Sequence, residues 1–385
     1  MITRQSWIRK MFEEGARLKA IHGAANVFDF SLGNPNLAPP SAFFDALRRT
    51  VAEGSPHGYM PNTGFPEACK AVAGYLTAEQ QVDVAPSDVI MTCGAAGALN
   101  IALKALLDPG DVVLCPAPYF VEYNAYADNH GGILKPVATH TDFTLNLDAM
   151  AAAIDGRTKA VLINSPNNPT GQVYSQASLE GLGAVLSEKS KRLGRTICLI
   201  SDEPYRKIVY DGITVPSLFN CYPESILATS YSKDISIPGE RIGFAAVNPK
   251  AAYRTDVLNG LALANRILGF VNAPALMQKV IMQIQGACVD PALYRRKRDM
   301  LCDALASFGY CFTKPAGTFY LFPRAPISDD VAFVRALQEE LILVVPGSGF
   351  GGPGYFRIAF CVDDATIANA LPGFKRAIEK AKNIK

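Results

Sequence analysis

The chain has 385 residues, with 37 Lys and Arg against 35 Asp and Glu, a formal charge of +2, and 49% apolar side chains. That length exceeds one simple core and fits either a single large α/β unit or a large domain with a smaller companion. The near-balanced, scattered charge supplies neither a nucleic-acid stripe nor a polybasic membrane patch, so a small-molecule partner is expected.

In chain order, Arg4, Arg9, Lys10, Glu13 and Glu14 interrupt the N-terminus, which therefore resembles neither a secretory signal nor a transit peptide. No run of about 18 apolar residues follows anywhere, so a soluble, cytoplasmic protein without membrane contact is expected. Trp7, Ile8, Met11, Gly15 and Leu18 share one face of a predicted helix, and the turn-rich SLGNPNLAPPS (31–41) comes next. Such an arm must pack on something else, either the C-terminal part of the chain or a partner subunit.

Short apolar runs then alternate with helix-length amphipathic stretches: VIMTC (89–93), VVLCP (112–116), AVLIN (160–164), ICLIS (197–201), ILATS (226–230) and IGFAAV (242–247). This pattern predicts an α/β fold with a mostly parallel sheet covered by helices on both faces. Ligands bind beyond the carboxyl ends of such strands. Gly94, Tyr119, Asn168, Asp202 and Lys233 all follow those runs closely, so one pocket is expected to collect them.

In TCGAAGALNIALKALL (92–107) a strand end passes through a Gly/Ala turn into a helix. The free amides of Ala95 and Ala96 there make a phosphate seat, although small residues at this point also let a helix approach a sheet. INSPNNPTG (163–171) is a turn in which Asn168 either serves its own backbone or offers its amide to a ligand oxygen. LISDEPY (199–205) carries Asp202 out of an apolar strand into a cleft. An unpaired carboxylate is costly there unless it meets a cation such as a protonated pyridine nitrogen, with Tyr205 in reach of that ring's phenolic oxygen; the plainer alternative is a turn cap. In SYSKDISIPGERIG (230–243), Ser230 and Arg241 can bind one phosphate while Lys233 reaches an aldehyde carbon.

Within LANRILGFVNAP (263–274), Arg266 sits in apolar, helix-like surroundings and must either snorkel to solvent or meet an anion. Beyond residue 285 the rhythm changes. A helix over PALYRRKRDMLCDALASFG (291–309) precedes FYLF, a helix around VAFVRALQEE, the strand-like LILVV and YFRIAF, and a last helix. These mark a second, smaller α+β domain. The expected division is a large domain at 46–285, with the arm (1–45) joined to the small C-terminal domain (286–385). GSGFGG (347–352) fits G-x-G-x-x-G, but only 33 residues remain beyond it, so it reads as a loop and not a nicotinamide site. The nine cysteines form no CxxC pair and the four histidines no HExxH spacing, so no metal is expected and the thiols read as buried in a reducing compartment.

SYSKDISIPGERIG, SPNNPTG, SDEPY and YFRIAF together resemble the motifs of the class I, fold type I pyridoxal-phosphate aminotransferases related to aspartate aminotransferase, in family order across nearly the whole chain. The resemblance implies a seven-stranded, mostly parallel sheet and pyridoxal 5'-phosphate held as an imine on Lys233. It further implies Asp202 on the ring nitrogen, Asn168 and Tyr205 on the 3-oxygen, and Ser230, Arg241, Ala95 and Ala96 on the phosphate. Tyr119 would stack on the ring, and Tyr59 in GYMPNTG would reach a neighbouring subunit's phosphate, which makes the protein a homodimer with shared sites. Arg357 would grip a substrate α-carboxylate beneath a loop containing Gly33 and Asn34. The implied reaction moves an amino group from an L-amino acid to a 2-oxo acid, 2-oxoglutarate by analogy. Arg266 lies close to where dicarboxylate-specific members carry an arginine from the partner subunit, so aspartate or another dicarboxylic donor is expected, with alanine or aromatic donors as the alternative. A β-eliminating lyase on the same apparatus is the nearest other reaction. A cofactor sensor fused to a DNA-binding module is disfavoured, because the opening 30 residues leave no room for that module.

Overall fold

The computed structural model describes residues 7–54 and 57–382, with Ile8, Arg9 and Phe12 described in their backbone alone; Arg4 lies outside the described residues. Its centre is a seven-stranded sheet in the spatial order Val89–Thr92, Gly243–Val247, Ser225–Ser230, Cys198–Asp202, Thr158–Asn164, Val112–Ala117, Ile133–Ala138. One strand, Gly243–Val247, runs against the others. Six of the seven are the apolar runs predicted above. The seventh, Ile133–Ala138, is an edge strand containing Lys135 and Pro136, where solvent exposure and an unpaired side tolerate residues that a central strand excludes.

Period-two alternation buries the strands on both faces. Val161 and Ile163 enter one apolar layer with Leu199, Leu227 and Phe244, while Ala160 and Leu162 enter the other with Ile200, Ile226 and Ala245. Helices cover both layers, among them Gly94–Leu106, which packs against Arg254–Ile267. Helix Gln176–Leu193 starts where the Ser175 side chain accepts from the Ser178 amide, satisfying one of the free donors of the first turn.

The predicted N-terminal helix spans Trp7–His22, and Met11, Gly15 and Leu18 are buried on its inner face. The arm docks on the C-terminal part of its own chain: Phe28–Asp29 pairs in parallel with Ile342–Leu343, and Lys19 bridges to Asp29 at 2.8 Å. That part contains helix Pro291–Phe308, capped by Asp290 with Pro291 in the first turn, and helices Asp330–Glu339 and Asp364–Lys382. Its small antiparallel sheet runs Val345–Pro346, Phe356–Ala359, Tyr320–Leu321. Among the described residues no helix is long and apolar enough to cross a membrane, and no group of three or more His, Cys, Asp or Glu is placed to hold a metal.

Candidate active site

Parallel strands end side by side along one edge of the large sheet, with Asn164 opposite Asp202 and Asp202 opposite Ala228, while Ser230 faces Gly243 across the antiparallel join. Beyond those ends lies a cleft of about 350 Å³. Its wall includes Gly33, Ala95, Ala96, Asn168, Asp202, Tyr205, Ser230, Lys233, Arg241 and Arg357, so one cavity gathers ten residues read from separate stretches of sequence.

Asp202 closes a fully buried strand. Its Oδ2 accepts a 2.5 Å hydrogen bond from the Tyr123 hydroxyl, whereas Oδ1 is buried without any partner. Burial pushes the carboxyl up to about 7 against the opposing pull of the Tyr123 bond. Nearby, Lys233 Nζ donates to the Gly33 carbonyl at 2.8 Å and lies 5.8 Å from the centre of the Phe319 ring. Burial lowers its amine to about 8. Burial therefore moves an acid and a base toward the same range, the condition for proton transfer near neutral pH.

The opposite end is basic. Gly94 opens the helix at φ +74°, and a Cβ there would stand 3.1 Å from Arg241 Nη2. At Gly243 a Cβ would lie 2.3 Å from the Thr229 carbonyl oxygen. The two glycines let the helix start, the strand and the guanidinium converge, which brings the amides of Ala95 and Ala96 to the same wall as Arg241 and Ser230. Arg241 Nη1 donates to the Pro238 carbonyl at 2.9 Å, and Ser230 is buried at its strand end.

Arg357 is 2% exposed. Nη1 donates to Asn168 Oδ1 at 3.0 Å and Nη2 to the Ser31 carbonyl at 2.6 Å, while Nε is buried without a partner. The Tyr320 and Phe350 rings flank the guanidinium, each at 4.6 Å. Phe350 comes from the short 3-10 turn Gly347–Phe350, the glycine-rich loop read above. Asn168 is itself positioned by its backbone N–H, which donates to Asn164 Oδ1 at 2.7 Å, and the Tyr205 and Tyr320 hydroxyls share a 3.0 Å hydrogen bond.

Five expected residues stand elsewhere, Gly94 among them, which sits against the Arg241 guanidinium without lining the cleft. Tyr119 does not face the cleft: its amide donates to the Phe350 carbonyl at 2.9 Å and its hydroxyl accepts from Asn124 at 3.1 Å. Consecutive side chains leave the backbone in different directions, so it is the next residue, Phe120, that supplies the aromatic wall. Asn34 is exposed and outside the lining, beside Gly33, which does line it. Tyr59 is 96% exposed, and Arg266 is exposed on the last turn of helix Arg254–Ile267; neither borders the cleft of its own chain. The sequence reading also missed Tyr123, Tyr126, Glu122 and Tyr320, all of which line the cleft. Tyr123 and Tyr126 were detectable as aromatics three apart opening the short helix Tyr123–Asp128 after a strand end, whereas no local signal marks Tyr320.

Known proteins resemble this chain over most of its length. Residues 25–374 match the model of the family "Aminotransferase class I and II". A probable aspartate aminotransferase of Methanocaldococcus jannaschii is 30% identical over 364 residues, covering 92% of this chain and 94% of that protein. The crystal structure of an aminotransferase from Eubacterium rectale superposes with a TM-score of 0.95 at 40% identity, covering 98% of this chain and 96% of the other. Aspartate aminotransferase from Thermus thermophilus with maleate gives 0.88 at 28% identity over 97% of both chains. An aspartate-aminotransferase-like α/β fold, a cleft at the carboxyl ends of its strands and a family match over most of its length place this chain among the class I and II aminotransferases.

Proposed function

We propose that this aminotransferase works with pyridoxal 5'-phosphate, moving the amino group of an L-amino acid to a 2-oxo acid, as a homodimer whose partner brings Tyr59 and Arg266 toward the neighbouring cleft. The observation that carries the reading is the unpartnered, buried Oδ1 of Asp202 in the same cleft as Lys233. A lone buried carboxylate oxygen calls for a cation, and a protonated ring nitrogen is one. The rest of the lining fits the same group: Ser230, Arg241 and the Ala95 and Ala96 amides suit a phosphate, Asn168 and Tyr205 suit the ring's 3-oxygen, and Phe120 suits its face.

When bound, pyridoxal phosphate supplies the carbonyl carbon that takes the amine and a ring that accepts the electrons released at the donor's Cα. Asp202 keeps the proton on the ring nitrogen. Lys233 Nζ, lowered to about 8, takes the proton from Cα as general base. Arg357 holds the α-carboxylate with the N–H groups left free by Asn168 and Ser31, including the unpartnered Nε. Tyr205 and Tyr320 hold one another and stiffen the wall between these roles.

The proposed division into 46–285 and 1–45 with 286–385 is supported by separate cores. The two layers on the large sheet draw on residues from Ala46 to Ile284 together with Phe43 of the arm, whose helix Ser41–Ala52 runs across the boundary, and the third core joins Met11 and Phe30 to residues from Val289 to Ala381, with Phe143, Tyr205, Ile208 and Tyr210 reaching across.

A donor screen with 2-oxoglutarate and with pyruvate as acceptors tests the reaction. The expected products are a new amino acid and the donor's 2-oxo acid. Release of pyruvate and ammonia without an acceptor would assign β-elimination instead. A borohydride-reduced label mapping to any lysine other than Lys233 would overturn the site.

A further inference from the structure

The chemistry needs two chain segments at a fixed separation. The stretch Asp202 to Tyr205 turns side chains toward the cofactor ring, and the stretch after Ser230 carries Lys233. Strand pairing sets their separation as far as Glu203, whose N–H donates to the Ala228 carbonyl at 2.8 Å and whose carbonyl accepts from Thr229 Oγ1 at 3.0 Å. Beyond the strand ends, among the described residues, a single ion pair joins the two segments. Lys207, two positions after Tyr205, places Nζ 3.0 Å from Oδ2 of Asp234, the residue next to Lys233.

Neither partner lines the cleft; both border a cavity of about 20 Å³ behind it, which shares Pro204 and Ser230 with the cleft. Both side chains are largely withdrawn from solvent. Asp234 Oδ1 accepts from the Ile235 N–H at 2.9 Å, and the Asp234 carbonyl accepts from the Val289 N–H at 2.6 Å, so the carboxylate is tied to the backbone that carries Lys233. Lys207 Nζ also donates to the Ala287 carbonyl at 3.3 Å and lies 4.8 Å from the centre of the Tyr75 ring.

We propose that the Lys207–Asp234 pair positions Lys233: it fixes how far the lysine backbone stands from the ring-binding wall, so that Nζ reaches the cofactor's aldehyde carbon and, once freed, the donor's Cα. This rests on the aminotransferase reading above. In the attachment the neutral amine forms its bond to that carbon while the aldehyde oxygen leaves as water with both amine hydrogens. A buried ion pair adds little net stability over apolar residues of similar volume, so the worth of this one lies in the geometry it holds. Misplacing a reacting group by about 1 Å costs on the order of a hundredfold in rate.

The test compares two forms of the cofactor on the cofactor-free, full-length protein. Pyridoxal 5'-phosphate calls on Lys233, whereas pyridoxamine 5'-phosphate carries an amine in place of the aldehyde and calls only on the rest of the cleft. In Lys207→Met, affinity for pyridoxal phosphate should fall by about tenfold or more while that for pyridoxamine phosphate changes by less than about twofold. In the half-reaction of the loaded variant with donor alone, the limiting rate per occupied site should fall by at least about tenfold. The half-saturating donor concentration should stay the same, because Arg357 holds the donor from strand Phe356–Ala359. Should Lys207→Met not fold, Asp234→Asn, which keeps the shape and removes the charge, carries the same comparison. Equal losses for the two cofactor forms would make the pair merely structural, and a change below about twofold for pyridoxal phosphate would show Lys233 positioned without it; either result overturns the proposal. Absence of any spectral change when the natural holoenzyme meets aspartate, alanine or tyrosine would instead overturn the aminotransferase reading on which it rests.

Discussion

Tyr123 donates its phenolic hydrogen to one oxygen of Asp202 at 2.5 Å and leaves the other buried and unpaired. The bond orients the carboxylate and favours its charge against the effect of burial, with Asp202 on the wall of the cleft. Tyr123 is fully buried, and burial together with the adjacent Asp202 drives its hydroxyl well above the usual phenol range, so it stays a donor at every working pH.

Removing that donor should make the Asp202 carboxyl harder to ionise. Its pKa, already raised to about 7 by burial, loses the opposing Tyr123 bond and rises further in Tyr123→Phe. Binding of pyridoxal phosphate to the cofactor-free protein should weaken as pH falls through about 7, and in Tyr123→Phe that decline should begin at higher pH. Equilibrium titration of the absorbance over about pH 6 to 9 measures both midpoints. Superimposable curves would show that Tyr123 does not support the carboxylate.

Asp202 should also cost the empty protein stability. Its folded pKa of about 7 lies above the unfolded value near 3.8, so between these values the folded state binds the extra proton. The favourable contribution is complete below the unfolded pKa and is lost as pH rises through about 7. Asp202→Asn should therefore raise the Tm of the cofactor-free protein at about pH 8 by a few degrees and have little effect at about pH 4, while turnover falls by several orders of magnitude. A Tm change of equal size at both pH values would contradict the buried-charge account.

Gly94→Ala should loosen the phosphate end. The side chain would enter a left-handed backbone position at φ +74° and come within 3.1 Å of the Arg241 guanidinium. A loss of about 1 to 3 kcal/mol in stability is expected from the backbone alone, with cofactor affinity reduced by at least about tenfold as Arg241 is pushed aside. Differential scanning calorimetry and cofactor titration read the two effects separately.

Phe120 and Tyr119 make a matched pair of tests. Phe120→Ala removes an aromatic wall of the cleft and should weaken cofactor binding by about tenfold or more, whereas Tyr119→Phe, which loses only the Asn124 contact, should cost about 1 kcal/mol of stability or less with affinity nearly unchanged. The reverse ranking would return the stacking role to Tyr119.

Much of this protein was legible in its sequence, because local chemistry records what a strand end must do. Apolar runs marked six of the seven central strands, and the polar residues placed just after them, Asp202, Ser230 and Lys233, were readable as lining one pocket. A strand end delivers its next side chains to the same edge of the sheet whatever the loops do. Sequence alone did not decide which of two adjacent aromatics faces inward, because Tyr119 and Phe120 differ only in how the chain turns after the strand and in their contacts with Asn124 and Phe350. Nor did it reveal the pairing of Tyr123 with Asp202, 79 residues apart, or the sandwich of Arg357 between Tyr320 and Phe350. The lone oxygen of Glu122 belongs to the same class: an unsatisfied group is defined by the neighbours that fail to reach it, and those neighbours are set only when distant segments pack together.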